Sequence, residues 1–346
     1  MKKWNFGIIG AGLIADFHAR AIESLENAQL IGVCGTNQEK AKKLAEKYNC
    51  KVFKNHTELL KAESIDIVTI ATPSGAHMEP VTEAAEKMKH VLCEKPLEIS
   101  LERIDKMIAA HEQAGTHLGG IFNFRYDETT EIIKKAIDSG RLGQITYAAV
   151  YVPWWRTDDY YEGWHGTWSL DGGGALMNQS IHMIDLLQYM MGDVKNIGAF
   201  TSNLGHPQIE TEDTGVAILQ FENNALGVIY RTTASYPGQN RRMEITGTKG
   251  TIVLVEDSLK VYEFAGSNQQ DAEILQKYGA HEGGSGVADP AAISYLNHAK
   301  NISAFIAAIE EKRQFEINGQ EARKAVRIIL DIYDSAKNGN IISTNF

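Results

Sequence analysis

Lys95 stands directly after the apolar run His90 to Cys93, inside the tripeptide Glu94-Lys95-Pro96. A lysine at the end of a buried strand faces the edge of its sheet, where burial can lower its pKa into a range useful for proton transfer. Asn178 and His182 lie four residues apart in a stretch that reads as helix, so both are expected on one side of it. Asp185, three residues further on, could orient His182 by accepting from its other ring nitrogen. Lysine and histidine can hold or release a proton, whereas the amide of Asn178 can only position a group. Most strand-end lysines and helical histidines are solvated or structural hydrogen-bonders, so these three depend on their company for a catalytic reading.

That company begins at the N-terminus. Gly10-Ala11-Gly12-Leu13-Ile14-Ala15 follows the apolar run Phe6 to Ile9 and precedes an amphipathic stretch. In a strand–turn–helix of this spacing the first glycine permits the tight turn and the second admits a pyrophosphate against the backbone. The small Ala15 lets helix and strand pack closely. Helix N-terminal N–H groups then face the phosphate charge. These residues imply a nicotinamide dinucleotide site, with Gly10, Gly12, Leu13 and Ile14 at the pyrophosphate. A carboxylate for the ribose 2′-hydroxyl is expected about 20 residues further on. That stretch instead carries Gly35, Thr36, Asn37 and Lys40. Without a negative charge a 2′-phosphate is not repelled, which favours NADP over NAD; alternatively Thr36 and Asn37 simply hold a 2′-hydroxyl. Thr72 and Pro73 end the next strand, at the carboxyl edge where open α/β sheets bind ligands. His77 reads either as a helix-capping or surface histidine or as a ligand contact, and Glu94 and Lys95 complete the cofactor-side set.

Strands must position these turns. Apolar runs at Asn5 to Ile9, Leu30 to Cys34, Ile67 to Ala71 and His90 to Cys93, with a marginal one at His117 to Phe122, alternate with helical stretches. Strand–helix alternation implies a parallel sheet, and continuous apolar runs imply that both of its faces are covered. After Phe122 a helix spans Glu128 to Ser139, an aromatic segment runs to Trp168, and glycines 172 to 174 lead into a helix that stops at Gly192. Lys195 to Phe264 alternate as the strands of a largely antiparallel sheet do. A long loop from Ala265 to Asp289 precedes two final helices, Ile293 to Lys312 and Gly319 to Lys337. The predicted fold is α/β, an N-terminal Rossmann domain plus a C-terminal α+β domain with a large, mostly antiparallel open sheet. Residues 1–122 form the dinucleotide domain and 123–346 the substrate-binding and oligomerisation domain.

At 346 residues the chain suits two domains. The net charge of −10 argues against nucleic acid as a partner, and no apolar run is long enough to span a membrane. The N-terminal run ends in a glycine turn, so it reads as a first strand and not a signal peptide. Three cysteines, Cys34, Cys50 and Cys93, show no metal-ligand spacing and suit a reducing cytoplasm; no metal site is expected.

Between Val152 and Trp168 lie Trp154, Trp155, Arg156, Tyr160, Tyr161, Trp164, His165 and Trp168. Interleaved Asp158, Asp159 and Glu162 make a wholly buried segment costly. Rings beside charged groups suit the apolar faces and polar rims of a sugar; a domain or subunit interface is the other reading. The 10–15 turn, Ala71-Thr72-Pro73, Glu94-Lys95-Pro96, the run Gly172 to Asp185 and the ending Gly319 to Gly339 together resemble the Gfo/Idh/MocA family of sugar-handling oxidoreductases, over nearly the whole chain.

The resemblance implies hydride transfer at a sugar carbinol, with Lys95 near the reacting hydroxyl and His182 as the matching histidine. Asn178 stands where the family often has Asp. Either His182 is the base and Lys95 polarises the hydroxyl, or Lys95 relays the proton and His182 positions the sugar. Trp164 to Trp168, Asp289-Pro290 and His298 are similar to members that oxidise nucleotide-linked amino-sugar uronates, which carry Arg in place of His165. His165 is mostly neutral at pH 7 where Arg would be a fixed cation. Arg125 and Arg156 remain for an anionic group, and a free sugar or glycoside stays open beside a nucleotide sugar. Trp154, Tyr161, Trp164, His165, Trp168, Asn178 and Asp185 complete the substrate-side set, and a loop at Ser285 could close over it. Similar proteins pair through the open sheet, which implies a homo-oligomer, dimer or tetramer. The rival to an enzyme is a non-catalytic dinucleotide-binding sensor or regulator on the same scaffold.

Overall fold

β-Branched and aliphatic residues without intervening charge form the strands of a six-stranded sheet: β1 (Trp4–Ile9), β2 (Ala28–Cys34), β3 (Lys51–Val52), β4 (Ile67–Ile70), β5 (His90–Cys93) and β6 (Leu118–Gly120). Their order is β3-β2-β1-β4-β5-β6, and every neighbouring pair is parallel. All four residues of β4 are buried, as helix cover on both faces requires. The order reverses between β1 and β4, which opens a crevice at the carboxyl ends of those strands. The computed structural model describes residues 2–279, 294–344 and 346. Ser285 and Asp289-Pro290 lie outside the described residues.

Five helices connect these strands: α1 (Leu13–Glu23), α2 (Gln38–Tyr48), α3 (His56–Leu60), α4 (Met78–Glu86) and α5 (Leu101–Ala114). Asn37 and Ser100 cap α2 and α5 by accepting from backbone N–H groups, and Gly115 ends α5 in the left-handed region at φ 66°. Asn37 is thus a cap, engaged with the N–H of Lys40.

Two compact units divide the chain. The first comprises Met1–Asn123, Ser169–Gly172 and Ser294–Val326, the second Phe124–Trp168, Gly173–Ile293 and Arg327–Phe346. Residues 294–326, read from sequence into the second domain, pack with the first. Their helix, α9 in chain order (Leu296–Glu310), lies against α1.

Within the second unit are α6 (Glu128–Asp138), α7 (Ile181–Met191) and α8 (Gln269–Tyr278), and α10 (Gly319–Asn338) ends there. The strands are β7 (Ile145–Pro153), β8 (Val194–Ser202), β9 (Thr214–Phe221), β10 (Leu226–Thr232), β11 (Arg242–Gly247), β12 (Gly250–Val255), β13 (Ser258–Phe264) and β14 (Ile342–Ser343). They form one sheet in the order β13-β12-β11-β7-β10-β9-β8-β14. Only β7 and β10 pair in parallel among its described strands. Helix α8 falls where a structureless loop is expected. Asn268 and Asp271 form a capping box that starts it, a local signal that the polar composition of the stretch obscures.

Candidate functional site

In the first unit the turn after β1 has the shape a dinucleotide needs. Gly10 sits at φ 122°, and its N–H donates to the Cys34 carbonyl at 2.9 Å. A Cβ there would collide with the Ala71 carbonyl oxygen. At Gly12 a Cβ would meet nothing within 4 Å, so the backbone opens on free space at the start of α1. Gly12 caps α1 without a side-chain hydrogen bond, which leaves the first N–H groups of the helix for an anion. Leu13 is exposed, Ile14 half-buried and Ala15 wholly buried against the sheet. The residues present therefore fit a dinucleotide. Thr36 and Lys40 are exposed beyond β2, and Gly35 lies so close to Ala11 that a Cβ would come within 2.9 Å of its side chain.

Beyond β4, Thr72 donates its hydroxyl to the Ala76 carbonyl at 3.0 Å beside half-buried Pro73. His77 corrects the sequence reading. It stands at the N-cap position of α4 without a side-chain capping bond, and it is fully buried, not a surface group. Its Nδ1 lies 3.0 Å from the Pro96 carbonyl and its Nε2 2.9 Å from that of Thr72. It braces the turn after β4 against the turn after β5, and burial lowers its pKa.

Glu94 is also enclosed. Its Oε1 lies 2.9 Å from Nε2 of His18 and 3.7 Å from Nε2 of His298, and its Oε2 accepts the Lys95 N–H at 3.1 Å. Nδ1 of His18 meets the Thr69 hydroxyl at 3.0 Å. The carboxylate is occupied inside the protein, so the expected cofactor contact by Glu94 is corrected to an internal one. Burial opposes its charge, yet His18 and His298 hold its carboxyl well below the usual range. Lys95 is half-buried; burial holds its ammonium below the ordinary lysine range, while Glu94 and Asp171 pull it back up. Asp171, almost fully buried, is a functional candidate that sequence reading misses, although a carboxylate beside a glycine run is a signal for it.

In the second unit the helix expected through Asn178 and His182 is interrupted. Ala175–Gln179 form a π-type turn, Ser180 closes it by donating its N–H to Ala175 O at 3.2 Å, and α7 starts at Ile181. The simple i, i+4 geometry of an α-helix therefore does not describe the pair; π turns of this kind concentrate at functional sites. Glu212 holds the turn, accepting from the N–H groups of Gly174 and Leu176 at 3.0 and 2.8 Å and from the Tyr333 hydroxyl at 3.0 Å. Fully buried Arg231 donates to Ala175 O at 3.1 Å and to Val152 O at 2.6 Å. Asn178 itself is buried, with the Tyr160 hydroxyl 3.4 Å from its Oδ1.

The His182 ring stacks on Phe124, centroids 4.6 Å apart at 28°. Behind Phe124 lies the Arg241 guanidinium, 3.9 Å from the ring centroid. Asp185 is engaged by buried Arg125, whose Nε and Nη2 donate to its two oxygens at 2.8 and 2.6 Å. This two-point pair corrects both readings, since the Arg125 charge is balanced within the unit and Asp185 is committed to it.

Among the aromatic candidates the structure separates core from surface. Trp154 and Tyr161 are buried, and the Tyr161 hydroxyl bonds Thr233 Oγ1 at 2.7 Å, so both serve packing before substrate contact. Arg156 is buried over the Trp154 and Tyr160 rings. Trp164 and His165 stack on each other at 4.1 Å and remain half-buried, while Trp168 is exposed and anchored through its indole N–H to Glu210 O at 3.0 Å.

A parallel sheet with a glycine dinucleotide turn, joined in one chain to an open antiparallel sheet, defines a dinucleotide-binding oxidoreductase architecture. Residues 4–120 match the oxidoreductase family with an NAD-binding Rossmann fold, and residues 130–253 match the GFO/IDH/MocA C-terminal domain. The chain belongs to the GFO/IDH/MocA family of NAD-binding oxidoreductases. It is 30% identical to the myo-inositol 2-dehydrogenase of Thermotoga maritima over 255 residues, 72% of this chain and 74% of that protein. The inositol 2-dehydrogenase of Rhizobium meliloti is 26% identical over 94% of each chain. Among solved structures, the WlbA dehydrogenase of Bordetella pertussis in complex with NADH and UDP-GlcNAcA superposes with a TM-score of 0.90. That match has 30% identity and covers 100% of this chain and 99% of that one.

Proposed function

We propose that this chain is an NAD(P)-dependent dehydrogenase acting on a CH–OH group of a sugar, glycoside or nucleotide sugar, with Lys95 and His182 as its acid/base residues. Lys95 carries the reading: a lysine at the carboxyl end of β5 in a dinucleotide sheet, held by burial below its ordinary range. A bound nicotinamide supplies the hydride acceptor. Gly10, Gly12 and the start of α1 hold the pyrophosphate. Lys95 takes or returns the hydroxyl proton, His182 shares that work or orients the sugar, and Asn178 positions only. Trp164, His165 and Trp168 offer half-buried and exposed rings to a sugar face. Nucleotide-linked uronates lead the substrate panel, supported by Trp164 to Trp168 and by the likeness to WlbA along the whole chain.

The uncharged end of β2, with Lys40 nearby, supports NADP over NAD, although the WlbA complex holds NADH. Free Cys34, Cys50 and Cys93 suit a reducing compartment such as the cytoplasm, and among the described residues no helix is long and apolar enough to cross a membrane. The exposed apolar face of the second sheet supports a homo-oligomer.

The test is reduction of NAD+ and NADP+ over a panel of inositols, free sugars, glycosides, and nucleotide sugars with their uronates. Lys95→Ala and His182→Ala are each expected to lower kcat by about 10²–10⁴-fold. Full rates in both variants would overturn the acid/base assignment, and dinucleotide binding without any turnover would return the chain to a sensor or regulator.

A further inference from the structure

The sheet end that carries Lys95 has a second layer. Glu94 points away from solvent into a pocket formed by α1, β4 and α9, all within the first unit. His18 on α1 is wholly buried and stands between Thr69 on β4 and Glu94. With Glu94 ionised, Nε2–H donates to its Oε1, and a neutral ring then accepts the Thr69 hydroxyl at Nδ1. Burial keeps His18 below its ordinary range, consistent with a neutral ring. His298 on α9 approaches the same oxygen from the other side, its ring 5.7 Å from that of His18. The other carboxylate oxygen takes the Lys95 N–H.

We propose that Glu94 is the positioning residue that sets the charge of Lys95, and that His18, assisted by His298, holds the Glu94 carboxylate ionised and aligned for that purpose. A buried carboxylate is costly unless its lone pairs are filled, and a packed apolar side chain would serve stability at least as well. Here the lone pairs are filled by an imidazole N–H and by the backbone of the working lysine. The negative charge therefore lies buried beside the Lys95 backbone, in the residue next to the one that carries the amine. The result is a lysine poised between two opposing influences, burial favouring the neutral amine and Glu94 favouring the ammonium.

Other titratable groups surround the cluster within this unit. Asp171 also favours the ammonium of Lys95. His77, from the turn before α4, feels both Glu94 and Glu98 and is kept neutral by burial. Cys93 on β5 is pushed well above the usual thiol range by burial and stays uncharged. Glu94 is thus the adjacent charge with a dedicated hydrogen-bonded support.

This inference rests on Lys95 as a proton-transferring residue, but its test needs no substrate. Trace acetylation of the full-length protein with acetic anhydride over a pH series, read at Lys95 by peptide mass spectrometry, reports the titration of that amine directly. In Glu94→Gln the Lys95 titration is expected to move down by about one pH unit, the loss of one nearby opposite charge. In His18→Leu the carboxylate loses its main donor and either takes a proton or turns away. Both outcomes lower Lys95 in the same direction by a smaller amount. The double variant moves no further than Glu94→Gln, because His18 acts through Glu94. An unchanged Lys95 titration in Glu94→Gln overturns the proposal, as does an additive shift in the double variant. If Glu94→Gln does not fold, His18→Leu decides, and an unshifted titration there overturns it. Loss of the assigned sugar activity would leave the labelling result standing, so the two readings fail separately.

Discussion

At the scale of single residues, the proposed preference for NADP is testable at the position after β2. Gly35 cannot carry a carboxylate, since its Cβ would press on Ala11 at 2.9 Å, and Asn37 is committed as the cap of α2. Thr36 is exposed and unconstrained by either neighbour, so it is the place to introduce charge. Thr36→Asp is expected to weaken NADP(H) binding about tenfold or more, roughly 1.4 kcal/mol of like-charge repulsion, and to leave NAD(H) binding equal or better. Fluorescence titration with NADPH and NADH checks it, and unchanged NADPH affinity would place the 2′-group elsewhere. Residue identities are legible where the backbone itself demands them: Gly10 is readable because only glycine accepts φ 122° against Ala71. Arg125 and Asp185 are misread, and the burial of His77 goes unread, because their contacts come from partners distant in sequence. A histidine between two carbonyls looks, in one dimension, like any other histidine.

At the scale of elements, the π turn before α7 depends on Glu212. Burial pushes this carboxyl up to about 7, against hydrogen bonds from Leu176, Gly174 and Tyr333 that favour its charge. A carboxyl raised in the folded state binds its proton more tightly than in the unfolded chain. Its contribution to stability is therefore fully present below the ordinary value near 4.5 and is lost as the pH rises through about 7. Over that window the wild type should lose stability relative to Glu212→Gln, by about 3 kcal/mol as an order of magnitude. Thermal or urea unfolding of both proteins as a function of pH measures it; parallel curves would refute the titration of Glu212. Periodicity locates α7 and the parallel strands, whose runs are long and uniform. It does not reveal the π turn, because one extra residue per turn leaves the apolar pattern nearly intact while rotating the residues beyond it about the helix axis. It also passes over α8, whose start is set by two polar side chains and not by an apolar stripe.

At the scale of the whole chain, one face of the second sheet is exposed although it is apolar. Phe200, Val216, Ile218 and Leu226 all lie open on β8, β9 and β10, with Phe200 at 81% and Ile218 at 61%. Strand register aligns them: Phe200 is opposite Val216, and Ile218 is opposite Val228. A contiguous patch of this kind is normally covered by a partner, and alternation along β9 puts its other side in the core. Ile218→Glu with Phe200→Glu is expected to yield a smaller species by multi-angle light scattering while leaving dinucleotide binding intact. A monomeric wild type would remove the basis for the partner. The antiparallel sheet and its two-sided patterning are legible in sequence, but the return of residues 294–326 to the first unit is not, since amphipathic helices do not state which core they serve.

The parallel pairing of β7 with β10 has a further consequence for inheritance. Two parallel neighbours need a long crossover, and this one carries Trp154, Arg156, Trp164, His165, Trp168, Asn178, His182 and Asp185 between Pro153 and Leu226. Nearly all the residues read from sequence as the substrate-side set are therefore one uninterrupted stretch of gene, set between two strands that pair directly with each other. On the proposed function, substrate preference could be exchanged as a single cassette, while the glycine turn and Lys95 lie in a separate part of the reading frame.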